Sequence, residues 1–150
     1  MNQPSASHSP SPSLELGRPL DRIRVVLSHT SHPGNIGAAA RAMKTMGVSR
    51  LALVNPKCFP HEEAIARSAG AEDILLAAKV CPTLDEALAG CVFAVAVSAR
   101  HRNLGPKPSQ ARDAAPDLVN LAQGGDVALV FGNETSGLSN DEVQRCQRTV

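Results

Sequence analysis

The sequence predicts an α/β fold in which a parallel sheet carries helices on both faces. The main observation is that short apolar runs rich in Val, Ala and Leu alternate with segments whose apolar residues recur at helical spacing. In addition, 43% of the 150 residues are hydrophobic, which is enough for one domain with a sizeable core. Phenylalanine occurs three times and tyrosine and tryptophan are absent, so we expect an aliphatic core. This composition disfavours modules that bind nucleic acid by stacking bases on aromatic side chains.

The first 20 residues are rich in Ser and Pro and have no hydrophobic centre. Such a segment cannot bury enough apolar surface to offset the entropy that is lost on ordering. It also lacks the apolar stretch of a secretory signal. We therefore predict a disordered tail over residues 1–20 and one folded domain over residues 21–150.

Charge, cysteines and histidines narrow the possible partners without identifying one. The net charge of +1 does not by itself indicate nucleic-acid binding. The four cysteines form no C-x-x-C pair, and we expect reduced thiols in a cytoplasmic protein. No apolar run approaches the ~18 residues of a membrane span, so we expect no membrane contact. His29 and His32 have no metal-ligand spacing with the cysteines, and we predict no metal site.

Residues 22–56 have the length and pattern of a strand, a helix and a second strand. A continuous apolar run over 22–28 predicts a strand that is buried on both faces. After a Pro-Gly turn, apolar residues at i, i+4 and i+7 predict a helix over 35–46 that ends at Gly47. The run over 50–56 predicts the second strand, which an Asn-Pro pair ends.

The middle of the chain continues the alternation with one irregular segment. The pattern over 61–79 is helical but is broken near Gly70. Residues 83–89 predict a short helix with a capping box at its start. Residues 91–99 form the most apolar of the predicted strands.

The last part of the chain repeats the same pattern. The helix expected over 109–123 is weak because Pro116 interrupts it. A buried strand is expected over 126–132, followed by a turn and by a short helix that Ser139 caps within a second capping box. A further strand could begin at 149–150.

Three polar loops follow predicted strands, over 29–35, 98–103 and 132–137. The carboxyl ends of parallel strands meet at one edge of a sheet, and ligands bind beyond that edge. We therefore predict a ligand site where these loops converge. The sequence contains neither G-x-G-x-x-G nor G-x-x-x-x-G-K-[ST], so the dinucleotide and P-loop interpretations lack their fingerprints. For the first loop, a tight turn into a helix that packs closely on the sheet remains an alternative.

Three segments taken together carry a resemblance to a known family. The first is SHPGNIGAAARAMKTMG followed by LALVNP, the second is VSAR, and the third is LVFGNETSGLSNDEV. They resemble the SpoU branch of the SPOUT methyltransferases, and most closely its TrmJ-type tRNA 2′-O-methyltransferases, over residues 22–150. The resemblance implies methyl transfer from S-adenosyl-L-methionine (AdoMet) to a ribose 2′-hydroxyl, for TrmJ-type members at the pyrimidine at nucleotide 32 of the tRNA anticodon loop. It also implies a trefoil knot in the sheet and a homodimer.

The resemblance extends to individual site residues. It implies that Asn35 shapes the catalytic loop, that Arg41 is the catalytic arginine and that Glu134 is the acid of the second motif. A guanidinium stays protonated in proteins, so we expect Arg41 to bind a phosphate or a developing alkoxide rather than to act as a base. The positions whose backbone would surround AdoMet are Val97, Ser98, Ala99 and Gly132. The residues that would contact RNA phosphates are Arg41, Arg100 and Arg102.

Each of these residues also has a plainer interpretation. Asn35 could be a helix N-cap, and Arg41 a solvated helix residue. Glu134 could be a turn residue beside a helix start. The basic residues after the strand predicted over 91–99 could form an ordinary charged loop: Arg100, His101, Arg102 and Lys107.

Two departures from the family pattern widen the range of possible functions. Asn133 and Thr135 flank Glu134 where TrmJ-like members can carry basic residues, so the chain could be another SpoU-type tRNA or rRNA 2′-O-methyltransferase. The family's third motif, an Asn-rich Ser-Leu-Asn segment after the next strand, is absent from these 150 residues. We therefore expect a domain that is truncated before this motif, with an incomplete AdoMet pocket and knot. The sequence is also compatible with a catalytically incomplete RNA-binding fragment and with an unrelated α/β nucleotide-binding enzyme.

Overall fold

The computed structural model describes residues 17–100 and 107–150, and within them strands and helices alternate. The strands are β1 (Ile23–Ser28), β2 (Arg50–Val54), β3 (Lys79–Cys81), β4 (Cys91–Val97), β5 (Asp126–Phe131) and β6 (Arg148–Thr149). The helices are α1 (Pro33–Met46), α2 (Glu62–Ser68), α3 (Glu72–Leu76), α4 (Leu84–Leu88), α5 (Ala111–Leu121) and α6 (Asn140–Gln144).

The strands form a parallel sheet in the order β3-β2-β1-β5-β4-β6. Successive side chains of a strand point to opposite faces, so Val25 packs with α1, α2 and α3, whereas Val26 packs with α4 and the end of α6. Helix α5 covers Ile23 and Val127 on the same face as α1. The predicted fold class, a parallel sheet with helices on both faces, is confirmed.

Helix α1 begins at Pro33, two residues before the predicted start, and ends as predicted at Gly47. Gly47 has φ 74°, a left-handed conformation that glycine adopts without steric cost. Ile36, Ala40 and Met43 are buried, as their spacing predicts. The first turns of the helix pack closely on α2, because a Cβ at Gly37 would lie only 2.1 Å from the Ala64 carbonyl oxygen.

The predicted helical segment over 61–79 is wrong in its last part. The break near Gly70 is real, since Ala69 at φ 44° and Gly70 at φ 94° separate α2 from α3. The segment then ends in the short strand β3, which the helical pattern did not predict. Lys79 and Val80 are exposed, so this edge strand has no continuous apolar run that would identify it.

The C-terminal part follows the prediction with shorter elements. Pro116 lies inside α5 without ending it. The second capping box is present, with Ser139 Oγ accepting from the Glu142 N–H at 3.2 Å and Glu142 Oε2 accepting from the Ser139 N–H at 2.7 Å. A final strand, β6, pairs in parallel with β4.

A charged cluster lies at the amino-terminal edge of the sheet, where the sequence predicted no particular role. Asp126, the first residue of β5, accepts from Arg24 at 3.0 Å and from Arg50 at 2.7 Å. Arg24 also donates to the carbonyls of Ala87 at 2.7 Å and Ala89 at 3.0 Å. The cluster therefore joins three central strands to the end of α4, and its Arg24 side chain is only 12% exposed.

A 3-10 turn (Pro19–Arg22) precedes β1 and spans the predicted boundary between tail and domain at residue 20. Residues 1–16 of the predicted tail lie outside the described residues. Among the helices of the described residues, none has both the length and the apolar composition to cross a membrane.

Candidate functional site

Glu134, in the loop after β5, lies against the loop that joins β1 to α1. Its carboxylate accepts hydrogen bonds from the backbone N–H of Ser31 at 3.0 Å and of His32 at 3.3 Å. It also accepts a bond from the Asn35 side-chain amide at 2.7 Å. Asn35 and Glu134 are thus joined directly, although 99 residues separate them in the sequence.

The N–H groups of Ser31 and His32 are available to Glu134 because both residues precede α1. His32 is the N-cap of α1, in an extended conformation, and makes no side-chain cap hydrogen bond. Asn35 is the third residue of α1 and not its N-cap, so the plainer interpretation of this residue is wrong. Helix α1 has no acidic residue in its first turn. The Glu134 carboxylate supplies a negative charge beside this helix terminus, where the helix dipole favours it.

The loop that carries Glu134 is fixed by its own neighbours. The Asn133 side-chain oxygen accepts from the N–H of Thr135 at 3.0 Å and of Ser136 at 2.7 Å, which closes a tight turn around Glu134. A Cβ at Gly132 would lie 2.1 Å from the Gly137 carbonyl carbon, so the backbone crosses here at a distance that only glycine allows. Glu134 therefore projects from a rigid turn.

The surroundings of Glu134 favour its ionised form. Partial burial raises the pKa of Glu134. The hydrogen bonds from Ser31, Asn35, His32 and its own N–H together have a larger, opposite effect, and the resulting pKa is about 2. Every donor is neutral, so the carboxylate keeps an uncompensated negative charge at neutral pH. The arrangement can fix the shape of the first loop and supply a constant negative potential.

Arg41 lies on the exposed surface of α1, and none of the contacts of the described residues joins its side chain to Asn35 or Glu134. Its guanidinium has no hydrogen-bond or ion-pair partner within 17–100 and 107–150. Lys44, one turn later, is by contrast paired with Asp73 at 2.7 Å. The structure thus brings two of the three predicted catalytic residues together and leaves the third on an adjoining surface.

The predicted cofactor positions lie at the ends of two neighbouring strands. Val97, the last residue of β4, is in register with Phe131 of β5, and Gly132 follows directly. The Ser98 N–H donates to the Val150 carbonyl at 2.9 Å, and the Ser98 hydroxyl accepts from the Arg100 N–H at 3.3 Å. Ala99 is exposed between them. Arg102 and His101 lie outside the described residues.

A cavity of about 570 Å³ opens beside these strand ends, on the face of α4 and α6. Its size falls within the ~300–1,000 Å³ of ligand pockets. Arg100 and the backbone at Gly137 and Leu138, which cross Gly132, form part of its wall. Further lining residues include His29, Thr83, Asn133, Ser139, Glu142 and Arg145. The volume and polar lining of the cavity fit a nucleoside-sized ligand, and the four predicted cofactor positions are not among its lining residues.

A second polar cluster lies in this wall, and the sequence did not predict it. The Ser28 hydroxyl donates to Glu142 Oε1, and His29 Nδ1 lies 2.8 Å from the same hydroxyl and 3.6 Å from Glu142 Oε1. Burial raises the pKa of Glu142, but hydrogen bonds from Ser28 and Ser139 outweigh it and lower the pKa. The available signal was a serine that directly follows the apolar run at the end of β1.

Comparison with known proteins places this geometry in a family. The SpoU rRNA Methylase family matches residues 22–150. The chain belongs to the SpoU rRNA methylase family. The predicted membership is therefore confirmed, and the match includes both loops that meet at Glu134.

Individual SpoU relatives agree with this membership. The chain is 57% identical over 129 residues to the tRNA (cytidine/uridine/adenosine-2′-O-)-methyltransferase TrmJ of Pseudomonas aeruginosa, covering 85% of this chain and 50% of the relative. The crystal structure of TrmJ from Z. mobilis superposes with a TM-score of 0.79 at 33% identity, covering 84% of this chain and 56% of that one. The chain thus spans about half the length of the curated relatives it matches.

A more distant SpoU methyltransferase shares the fold. AviRb of Streptomyces viridochromogenes, crystallised in complex with AdoMet, superposes with a TM-score of 0.62 at 20% identity, covering 94% of this chain and 52% of that one. Within the described part of our chain, no three or more His, Cys, Asp and Glu side chains are grouped so as to hold a metal ion.

Proposed function

We propose that residues 21–150 act in an AdoMet-dependent RNA 2′-O-ribose methyltransferase whose substrate is tRNA. The observation that carries the proposal is the direct contact between the two family motifs, in which Glu134 accepts from Ser31, His32 and Asn35. This contact shapes the first loop next to the strand ends that would hold the cofactor. The TrmJ relative, named for tRNA 2′-O-methylation, supports tRNA as the substrate.

AdoMet supplies a methyl group that is already activated on a sulfonium, so the protein's task is to position the ribose hydroxyl and to stabilise its developing charge. Backbone groups at Val97, Ser98, Ala99 and Gly132 would hold the cofactor beside the cavity. Asn35 and Glu134 keep the adjoining loop in one conformation. That rigidity limits the positions that a nucleotide can take against the cofactor.

Arg41 binds the RNA rather than removing a proton. A guanidinium keeps its proton at neutral pH and presents paired donors to a phosphate. Because the Arg41 guanidinium has no partner among the described residues, its donors are free to bind a phosphate or the developing alkoxide. Arg100, which lines the cavity, is a second proposed phosphate contact, as is Arg102.

The finer features of the proposal follow from the resemblance to TrmJ-type members. The target is the ribose of the pyrimidine at nucleotide 32 in the anticodon loop. The active form is a knotted homodimer in the cytoplasm. The relative's name includes adenosine, so the range of accepted bases is a property to be measured for this chain.

The test measures AdoMet binding by calorimetry and tRNA methylation by mass spectrometry of nuclease digests. Both are made on the 150-residue chain and on a chimera in which the remainder of the Pseudomonas aeruginosa TrmJ relative continues it. Methylation of a ribose 2′-oxygen by either form supports the proposal, and Glu134→Gln should reduce it. Binding of tRNA without methylation in both forms would favour an RNA-binding function without catalysis. Failure of both forms to bind AdoMet would contradict the methyltransferase proposal.

A further inference from the structure

We propose that Arg67 of α2 binds an RNA phosphate together with Arg41 of α1, across the groove between the two helices, and thereby positions the substrate. This inference rests on the proposed function, because it takes RNA as the ligand. Arg67 is not among the residues to which the family resemblance assigns a role. It is a positioning residue, since it lies beside the candidate site and not at the reacting atoms.

The groove is a shallow cavity of about 690 Å³ on the exposed side of α1 and α2. It exists because the two helices pack closely at Gly37 and carry small side chains above that contact. Arg41 and Arg67 both line it and are both exposed. The remaining lining residues are Ala38, Ala42, Thr45, Met46, Ala66 and Ala69.

The groove is lined by two guanidinium groups, of which one is unpaired among the described residues and the other forms a weak, exposed ion pair. The Arg41 guanidinium has no hydrogen-bond or ion-pair partner within the described ranges. Arg67 has one ion pair, from its Nε to Glu63 Oε1 at 3.4 Å, between side chains that are 64% and 46% exposed. An exposed pair at i and i+4 is weak, and it engages only Nε, so the two terminal nitrogens of Arg67 remain available as paired donors.

Arg67 also reaches the start of the candidate site. Its Cδ and Nε lie 2.9 Å from the position that a Cβ would take on Gly34, so its side chain crosses the first turn of α1. Gly34 directly precedes Asn35, whose amide binds Glu134. A phosphate held by Arg67 and Arg41 would therefore fix an RNA backbone along the helix whose first turn forms the site.

The geometry favours a nucleic-acid backbone as the occupant. Two guanidinium groups on a shallow groove offer bidentate contacts to phosphate oxygens, and no described aromatic side chain is available in the groove for base stacking. The contact would supply affinity and register without reading the base. A second copy of this chain is the competing occupant, and the experiment separates the two.

The experiment measures tRNA affinity as a function of salt for the methylating form, the chain or the chimera. Each lost phosphate contact lowers the slope of log K against log salt by about 0.7–0.9, equivalent to a loss of about five- to eightfold in affinity at 0.1 M salt. We expect this change for Arg67→Ala. Arg67→Lys should retain most of the slope but lose part of the affinity, because an ammonium has no paired donors.

Lys44→Ala is the matched control, because Lys44 is an exposed basic residue of the same helix that does not line the groove and that donates a hydrogen bond to Asp73 at 2.7 Å. It should leave the slope unchanged. Circular dichroism melting of each variant verifies folding, and sedimentation velocity gives the oligomeric state.

Three results would overturn the inference. An unchanged salt slope for Arg67→Ala, in a form that binds and methylates tRNA, would show that Arg67 makes no phosphate contact. The proposed function would be unaffected. A shift of Arg67→Ala to a smaller species would identify the groove as a subunit interface. If the unmodified forms neither bind nor methylate tRNA, the proposed function fails and the inference fails with it.

Discussion

Two carboxylates at opposite ends of β5 are held in opposite ways. Asp126 opens the strand and is neutralised by two guanidinium groups, from Arg24 and Arg50. Glu134 follows the strand and is held by two backbone N–H groups and one amide, all neutral. The amino-terminal edge therefore neutralises its carboxylate, with one guanidinium charge in excess, and joins the strands. The carboxyl-terminal edge keeps its charge and uses it to shape a loop.

The comparison teaches where stability and function separate in this fold. A carboxylate paired with the guanidinium of an arginine whose side chain is 12% exposed has no net charge left to act on a ligand. A carboxylate held by neutral donors retains its full charge in an exposed loop. We infer that damage at Asp126 acts mainly on folding and damage at Glu134 mainly on activity.

Asp126→Asn should have the largest effect on stability. It leaves the nearly buried Arg24 guanidinium without its countercharge, and we expect a loss of about 2–3 kcal/mol in the free energy of unfolding, measured by urea denaturation. Asp117→Asn is the matched control, since Asp117 forms an ion pair of 3.0 Å with Arg148 at a surface where its side chain is 58% exposed. The control should lose less than ~0.5 kcal/mol. Equal losses would show that the amino-terminal cluster is no stronger than a surface pair.

Compared with Asp126→Asn, Glu134→Gln should reduce stability less and activity more. The amide keeps the size of the side chain and one acceptor oxygen, but its NH₂ group opposes the Ser31 N–H, so we expect a loss of about 1–2 kcal/mol in unfolding free energy. Methylation by the active form should fall at least about tenfold, because the loop loses its fixed shape. Measured together by denaturation and single-turnover assays, Asp126→Asn and Glu134→Gln should rank in opposite order. The same order in both assays would remove the distinction between the two edges.

The pH dependence of stability should report the ionised state of Glu134. The pKa of Glu134 falls from 4.5 to about 2 on folding, so its contribution is fully present above pH ~4.5 and is lost as the pH falls towards 2. The full shift corresponds to ~3 kcal/mol, which the exposure of Glu134 reduces to ~1–2 kcal/mol. The stability difference between the unmodified chain and Glu134→Gln should therefore shrink between pH 5 and pH 2.5. A constant difference over this range would contradict the ionised, hydrogen-bonded state of Glu134.

The sequence alone could predict the site edge but not the contacts that build it. Alternating apolar runs predict a parallel sheet, and parallel strands necessarily bring their carboxyl ends together, which places Asn35 and Glu134 at one edge. The direct bond between them depends on where α1 begins. The apolar spacing predicts a helix start two residues after the observed one, because Pro33 and Gly34 resemble a turn.

Several features had no sequence signal of the kind that periodicity detects. Arg24 and Arg50 lie in strands that the sequence identifies only by their apolar residues. Periodicity therefore could not predict their shared partner Asp126, which is 102 residues from Arg24. Strand β3 is three residues long and half exposed at the sheet edge, where no alternation develops. The groove of Arg41 and Arg67 depends on how closely α1 and α2 pack, which a glycine at position 37 permits but does not specify.

Asn35→Ala should have the smallest effect of these changes, because two backbone donors to Glu134 remain. Losing the 2.7 Å amide bond to a carboxylate costs about 1–2 kcal/mol, but alanine regains about 0.5 kcal/mol of helix propensity. Asn120→Ala is the matched control, since it gains the same propensity on exposed α5 without losing any described side-chain bond. The two variants should differ by about 1–2 kcal/mol in urea denaturation, because the gain in helix propensity is common to both. A difference near zero would mean that the backbone N–H groups alone hold Glu134, and that the Asn35 amide is free to contact the substrate instead.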